Sequence, residues 1–169
     1  MFHETAIKEF LRRPRVQEAL AKNDLDVVYN LINYEWSVDF SSNDLTAYLY
    51  SIDVDPLRYV TRVHDYMFLS FDNMIEIHIP SNIKSIGEYA FKDCVELERV
   101  YIDNGLENID TAAFRNCINL KHISIPSTVK QIEVFAFEKC NFKEMTIQCE
   151  ENSVAHQLAQ DMGLNVQLT

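Results

Sequence analysis

The second half of the chain repeats every 23 residues, and this period constrains the fold more than any other feature of the sequence. Cys94, Cys117 and Cys140 are each 23 residues apart. Five further apolar columns recur at the same step: Ile86, Ile109 and Ile132; Ala90, Ala113 and Ala136; Phe91, Phe114 and Phe137; Ile77, Val100 and Ile123; Ile79, Ile102 and Ile125. A fixed period of this length indicates stacked structural units that share one continuous core.

Two irregular copies flank the regular ones. A degenerate copy precedes them by 23 residues, with Val63, Met67, Phe68 and Phe71 in the places of Ile86, Ala90, Phe91 and Cys94. A shortened copy follows, with Phe142, Met145 and Ile147 lying 22 residues after Leu120, Ile123 and Ile125. The shorter step indicates that one residue has been lost near Asn141. We therefore predict units at about 51–73, 74–96, 97–119 and 120–141, and a closing strand from 142.

Each unit begins with a strand-like segment, such as "LERVYID" (97–103) or "LKHISIP" (120–126), in which apolar and polar residues alternate. A turn follows, often at a proline, and an apolar segment then returns along the far side. Such units stack as parallel strands about 4.8 Å apart. The cysteine column is then predicted to be core, because buried cysteine acts as a small hydrophobe and no histidine column stands beside it to complete a metal site.

These units resemble the BspA-like leucine-rich repeat, whose units read approximately LxxIxIPxxVxxIGxxAFxxCxx. The resemblance covers roughly residues 57–147 and implies an α/β repeat fold, a short right-handed leucine-rich-repeat solenoid with a parallel strand face. Two departures concern local turns. Gly87 has no glycine counterpart at Asp110 or Glu133, and Pro80 is replaced by Asp103 in the next unit.

The first 50 residues lack the repeat and show helical periodicity in four short pieces. The sequence predicts helices over about 5–12, 14–22 and 24–34, and a fourth that opens at Ser42 or Asn43. One interpretation is an N-terminal helical cap that covers the first, degenerate unit. The other is a separate recognition surface, with Trp36 and Phe40 exposed between helices.

The tail after residue 147 has a different pattern. Ser153 can cap a helix that continues to Met162, Gly163 suits the end of that helix, and "LNVQL" is predicted to return as a strand. This segment would cover the last unit. We therefore predict three parts: a helical cap over 1–50, leucine-rich repeats over 51–147 and a C-terminal helix-strand cap over 148–169.

The net charge of the chain argues against two classes of partner. The formal net charge is −11, whereas nucleic acids and anionic membranes bind cationic surfaces. We therefore predict neither as a direct partner, although a protein with a basic surface remains compatible. Neither a signal-peptide pattern nor an apolar run of about 18 residues is apparent. The expected compartment is the reducing cytoplasm, where the four cysteines need not form disulfides.

The sequence contains no motif for catalysis, for a cofactor or for a metal ion. There is no GxSxG, HExxH, CxxC or phosphate-binding glycine loop. Cys149 stands outside the cysteine column and could be exposed, but the neighbouring carboxylates of "QCEEN" do not favour a reactive thiolate. We predict a non-enzymatic protein.

The polar residues of the strands form two outward columns that vary while the inward columns stay apolar. The first column reads Asp53, Glu76, Arg99, His122 and Glu144, and the second reads Asp55, His78, Tyr101, Ser124 and Thr146. These columns form either a plain solvated sheet or a binding face. Tyr101 beside Arg99 is the best candidate anchor, because Tyr and Arg often dominate interface energy. The candidate partner-binding residues are Glu76, His78, Arg99, Tyr101, His122, Ser124, Glu144 and, on the cap, Trp36.

We therefore predict a non-catalytic protein–protein interaction module that binds a protein partner through its strand face or its helical cap. A second hypothesis uses the acidity of the chain. It is an antagonist encoded by a phage or mobile element that blocks a basic surface of a host defence protein or nucleic-acid-binding protein. Contiguous carboxylates would favour the antagonist, whereas a face of mixed charge with aromatic residues would favour the general module.

Overall fold

The computed structural model describes residues 2–34, 41–133 and 135–169, and its first part is helical. The four predicted helices are confirmed as α1 (Phe2–Leu11), α2 (Pro14–Ala21), α3 (Leu25–Tyr34) and α4 (Ser42–Ser51). Pro14 occupies the first turn of α2, where its missing N–H costs no hydrogen bond. Ser41 caps α4 through a reciprocal capping box with Asp44.

The repeats form a parallel-strand solenoid, as predicted, and the returning segments add a second, smaller parallel sheet. The smaller sheet contains β1 (Arg62–Val63), β3 (Ser85–Ile86), β5 (Asn108–Ile109) and β7 (Gln131–Ile132). The larger sheet contains β2 (Glu76–Ile79), β4 (Arg99–Ile102), β6 (His122–Ser124), β8 (Thr146–Cys149) and β9 (Asn165–Leu168). Each regular unit gives one strand to each sheet, and neighbouring units pair with the 23-residue offset, as in Ile77 with Val100.

Two columns of like side chains fill the space between the sheets. Phe68, Phe91, Phe114 and Phe137 are fully buried and stack with centroid separations of 4.9, 5.0 and 5.4 Å. The cysteine column lies nearby, with Cys94 and Cys117 buried and Cys140 half-buried. Each thiol donates to a phenylalanine carbonyl 26 residues earlier, for example from Cys117 Sγ to Phe91 at 3.1 Å. The predicted structural role of the cysteines is confirmed.

The last unit is one residue longer than the regular repeat, so the predicted deletion near Asn141 is wrong. Ile123 pairs with Ile147, and His122 pairs with Thr146, an offset of 24 residues. A turn over 141–145, in which the N–H groups of Glu144 and Met145 both donate to the Asn141 carbonyl, takes up the additional residue. The predicted offset of 22 residues and the observed offset of 24 differ by two. Because side chains alternate between the two sides of a strand, a shift of two residues keeps each side chain on its predicted side and changes only its pairing partner.

The first unit contributes no strand to the larger sheet, so the predicted places of Asp53 and Asp55 in the outward columns are wrong. Asp53 adopts a left-handed conformation with φ of 62°. Asp55 caps a short 3-10 helix, Pro56–Arg58, by accepting a hydrogen bond from the Leu57 N–H. Left-handed φ and a proline without an N–H both oppose regular strand pairing.

The irregular first unit also explains why glycine occurs only once in its column. A Cβ on Gly87 would lie 2.9 Å from the Val63 carbonyl oxygen and 2.2 Å from Asp65 Oδ1. Asp65 is held there by Arg62, whose Nη2 lies 2.9 Å from Asp65 Oδ1. These two side chains belong to the degenerate unit, so the constraint applies to the next turn and not to the later ones.

The helical segment covers the edge of the smaller sheet. Asp26 on α3 accepts hydrogen bonds from the Thr61 N–H at 2.8 Å and from His64 Nε2 at 2.8 Å. His64 is buried just after β1, and its ring stacks on Tyr29 with a centroid separation of 5.0 Å. These contacts join α3 to the first unit, as expected of an N-terminal cap.

At the other end, α5 (Val154–Met162) and β9 close the solenoid, as predicted. Ser153 accepts a hydrogen bond from the His156 N–H, and Gly163 ends α5 with φ of 65°. The predicted exposure of Cys149 is wrong, since it is 2% exposed. It lies on the inward side of β8 because it alternates with the outward Gln148 and shares the inward side with Ile147.

Candidate protein-interaction surface

The outward side chains of the larger sheet form the candidate surface, which we call the strand face. The strand register aligns Glu76, Arg99 and His122 in one row, and His78, Tyr101 and Ser124 in the next. Six of the eight predicted partner-binding residues are thus brought together. The intervening residues of each strand point inward, since Val100 and Ile123 are fully buried.

Charged pairs between neighbouring strands fix the first row. Arg99 donates from Nε to Glu76 Oε2 at 2.7 Å and from Nη1 to Glu98 Oε2 at 3.1 Å. Lys121 donates to the other Glu98 oxygen at 2.8 Å. The hydrogen bond to Glu76 raises the pKa of Arg99, and the hydrogen bond from Lys121 lowers the pKa of Glu98. These exposed pairs orient the side chains more than they stabilise the fold.

The second row combines a histidine pair with the predicted aromatic anchor. His78 Nε2 donates to Asp103 Oδ1 at 2.8 Å. The Tyr101 ring is half-buried and tilted against His122 at a centroid separation of 5.6 Å. Ser124 serves the scaffold, since its hydroxyl accepts a hydrogen bond from the Ile102 N–H at 3.2 Å.

Of the two remaining predicted residues, Glu144 lies in the described part of the chain and outside these rows. Glu144 is exposed in the turn before β8, and Thr146 takes its predicted place beside His122 in the first row. The predicted place of Thr146 in the second row is therefore wrong, since Gln148 pairs with Ser124 there. Trp36, like Phe40, lies outside the described residues. The proposal of an anchor on the helical segment therefore stays a prediction.

Sequence reasoning missed the residues that hold the rows in place. Asp103 occupies the repeat position of Pro80 and Pro126 in the neighbouring units. This departure from the motif could have indicated that Asp103 pairs with a neighbouring side chain. Glu98 and Lys121 occupy the same position in two neighbouring repeats. Opposite charges at equivalent positions of adjacent parallel repeats predict an ion pair.

Within the described ranges, no group of three or more metal-ligating side chains converges. Burial raises the pKa of Cys94 and of Cys140 to about 12, which is unfavourable for a nucleophilic thiolate. In the same part of the chain, no helix is long and apolar enough to cross a bilayer.

Comparison with known families agrees with the repeat pattern. The family described as "BspA type Leucine rich repeat region (6 copies)" matches residues 46–161. The chain therefore belongs to the BspA-type leucine-rich repeat family, whose fold generally serves protein interaction and is typically non-catalytic.

Three solved structures are similar to parts of this chain. A leucine-rich repeat protein from Bacteroides capillosus is 30% identical over 54% of this chain and 64% of its own, with a TM-score of 0.49. The leucine-rich repeat protein of T. pallidum is 24% identical over 53% and 52%, with a TM-score of 0.45. A leucine-rich cell surface protein from Faecalibacterium prausnitzii is 21% identical over 59% and 32%, with a TM-score of 0.45.

This chain spans less than two thirds of the length of each of these three proteins. No curated protein matches it.

Proposed function

We propose that this chain is a non-catalytic protein-interaction module that binds its partner through the strand face, with Tyr101 as the central anchor. The observation that carries the proposal is the setting of Tyr101. Its ring is half-buried on the second of five strands, and ordered charged pairs surround it. A preorganised aromatic residue away from the rim of a surface is the kind that contributes most binding energy.

The charge pattern of the strand face supports the general module over an acidic antagonist. Around Tyr101, the carboxylates of Glu76, Glu98 and Asp103 are each paired with Arg99, Lys121 or His78. An antagonist of a basic surface would need unpaired carboxylates in a contiguous patch. The mixed face fits a partner with both polar and aromatic contacts.

The proposal is tested by comparing Tyr101→Ala with Lys130→Ala. Lys130 lies before β7 in the smaller sheet and pairs with Glu107 at 2.6 Å, away from the strand face. Each variant and the wild type are immobilised, and the proteins retained from a lysate of the source cells are identified. The affinity of any retained protein is then measured with the purified components.

We expect Tyr101→Ala to weaken binding of that protein by about 2 kcal/mol or more and to leave the free energy of unfolding nearly unchanged. Lys130→Ala should change neither quantity. Equal affinity of the wild type and Tyr101→Ala would contradict the assignment to the strand face. In that case a loss of binding by Trp36→Ala in a folded protein would place the site on the N-terminal segment.

A further inference from the structure

Among the described residues, the larger sheet has a free edge at β2, because the first unit contributes no strand beside it. β2 is the terminal strand of this sheet and pairs with β4 on its other side. The carbonyls of Ile75 and Ile79 accept hydrogen bonds from the β4 side, from Arg99 and Asp103. The N–H and C=O groups of successive residues in a strand point to opposite edges of that strand. The N–H and C=O groups of Glu76 and His78 therefore point away from β4, towards the free edge.

An apolar groove adjoins the beginning of this edge. It has a volume of about 330 Å³ and lies between Tyr50 at the end of α4 and the segment 73–77, with Phe71 in its wall. Ile75 is 53% exposed and Tyr50 is 39% exposed. Tyr50 is held by edge contact with Phe71 at a centroid separation of 6.1 Å. The groove can take apolar side chains from one face of a neighbouring strand.

Acidic residues lie in the two segments that border the groove: Asp72 directly precedes the segment 73–77, and Asp53 follows Tyr50 by three residues. Asp53 and Asp72 are exposed, and no cation among the described side chains pairs with either of them. Glu76 is half-exposed and is approached by Arg99 only from the β4 side. A lysine or arginine on the free side of β2 would meet Glu76 as Arg99 does, with the charge complementarity that favours association.

We propose that the free edge of β2 binds an extended, basic segment of another protein by strand addition, in which apolar residues enter the groove and alternate lysine or arginine residues pair with Glu76 and its acidic neighbours. Main-chain hydrogen bonds to Glu76 and His78 would supply affinity, and the groove would select the side chains. This site uses the main chain at the edge and the groove rather than the Tyr101 ring, although it shares Glu76 and His78 with the strand face. Neither proposal depends on the other.

The probe is a capped, fluorescently labelled octapeptide of alternating valine and lysine, and binding is followed by anisotropy. Two further peptides carry N-methyl groups, one on all valine amides and the other on all lysine amides. The amides of alternate residues lie on opposite edges of a strand. Strand addition therefore predicts that one methylated peptide loses binding by about tenfold or more while the other retains it.

Protein variants test the same contact from the other side. His78→Pro removes an N–H that faces the free edge, a position where an edge strand tolerates proline, and it should weaken peptide binding by about tenfold or more. Ile75→Ser should weaken binding severalfold. The matched control is Ile118→Ser, an isoleucine 47% exposed and remote from the groove, which should leave binding unchanged.

The proposal is overturned if the unmodified peptide shows no saturable binding, or if both methylated peptides bind equally. It is also overturned if a peptide with glutamate in place of every lysine binds as well as the original, or if Ile75→Ser and Ile118→Ser have equal effects. Sedimentation of the protein alone tests whether a second copy of the chain occupies the edge. If it associates with itself and His78→Pro prevents this, the edge is occupied by a second copy, and the proposed basic segment is wrong. Should His78→Pro fail to fold, the peptide pair still decides the question.

Discussion

Replacement of Phe114 by alanine tests the core in the middle of the solenoid. Its ring is fully buried between Phe91 and Phe137, at centroid separations of 5.0 and 5.4 Å. A main-chain hydrogen bond joins this turn of the solenoid to the next turn, since the Phe114 N–H donates to the Ala136 carbonyl at 2.8 Å. Because this bonding limits collapse around the cavity, we expect a loss of about 4 kcal/mol, within the usual range for a buried phenylalanine.

The assay is urea unfolding followed by circular dichroism and fluorescence, with thermal unfolding as a second measurement. For a chain of this length, the loss corresponds to a decrease in Tm of roughly 8–15 °C. Phe135→Ala is the matched control, since Phe135 lies in the next unit and is 61% exposed. It should cost less than about 0.5 kcal/mol. A loss below about 1 kcal/mol for Phe114→Ala would refute the reasoning.

Two further predictions concern ionisable side chains. Cys94 and Cys117 should react with a thiol reagent only on unfolding, because both are buried and burial raises their pKa; rapid labelling of the native protein, read by mass spectrometry, would contradict this. Burial tends to raise the pKa of Asp26, but hydrogen bonds from His64 and Thr61 outweigh it and lower the pKa. The stability gained from Asp26 is then present above its unfolded pKa of about 3.9 and is lost as the pH falls through the lower folded value. In urea unfolding, the stability difference between the wild type and Asp26→Asn should therefore shrink as the pH decreases from 6 to about 3, and a constant difference would exclude this role.

The sequence predicted the regular units well because each inward column repeats without change. Once Ile77, Val100 and Ile123 are recognised as one column, the register of three strands follows, and with it the grouping of Arg99 with its neighbours. The helix from Ser153 to Gly163 was equally predictable, because a capping serine and a left-handed glycine act locally.

The irregular units were less predictable because periodicity cannot distinguish a lost residue from a gained one. Met145 and Ile147 are both apolar with the same parity, so either could follow Ile123 in the core column. Only the pairing of the folded strands shows that Ile147 does so. Similarly, Asp53 and Asp55 have the right spacing for a strand, but the local turn at Asp53 and the cap at Asp55 override it.

The alternation within each strand also separates stability from recognition along the chain. Val100 and Ile102 are buried in the core, whereas Arg99 and Tyr101 between them face outward. The outward side chains can therefore change without disturbing the packing, provided that the strand keeps its hydrogen bonds. A scaffold of this kind can acquire a new partner by changing one face. Consequently, a change at Tyr101 should alter binding with little effect on folding, while truncation of the adjacent Val100 should alter both.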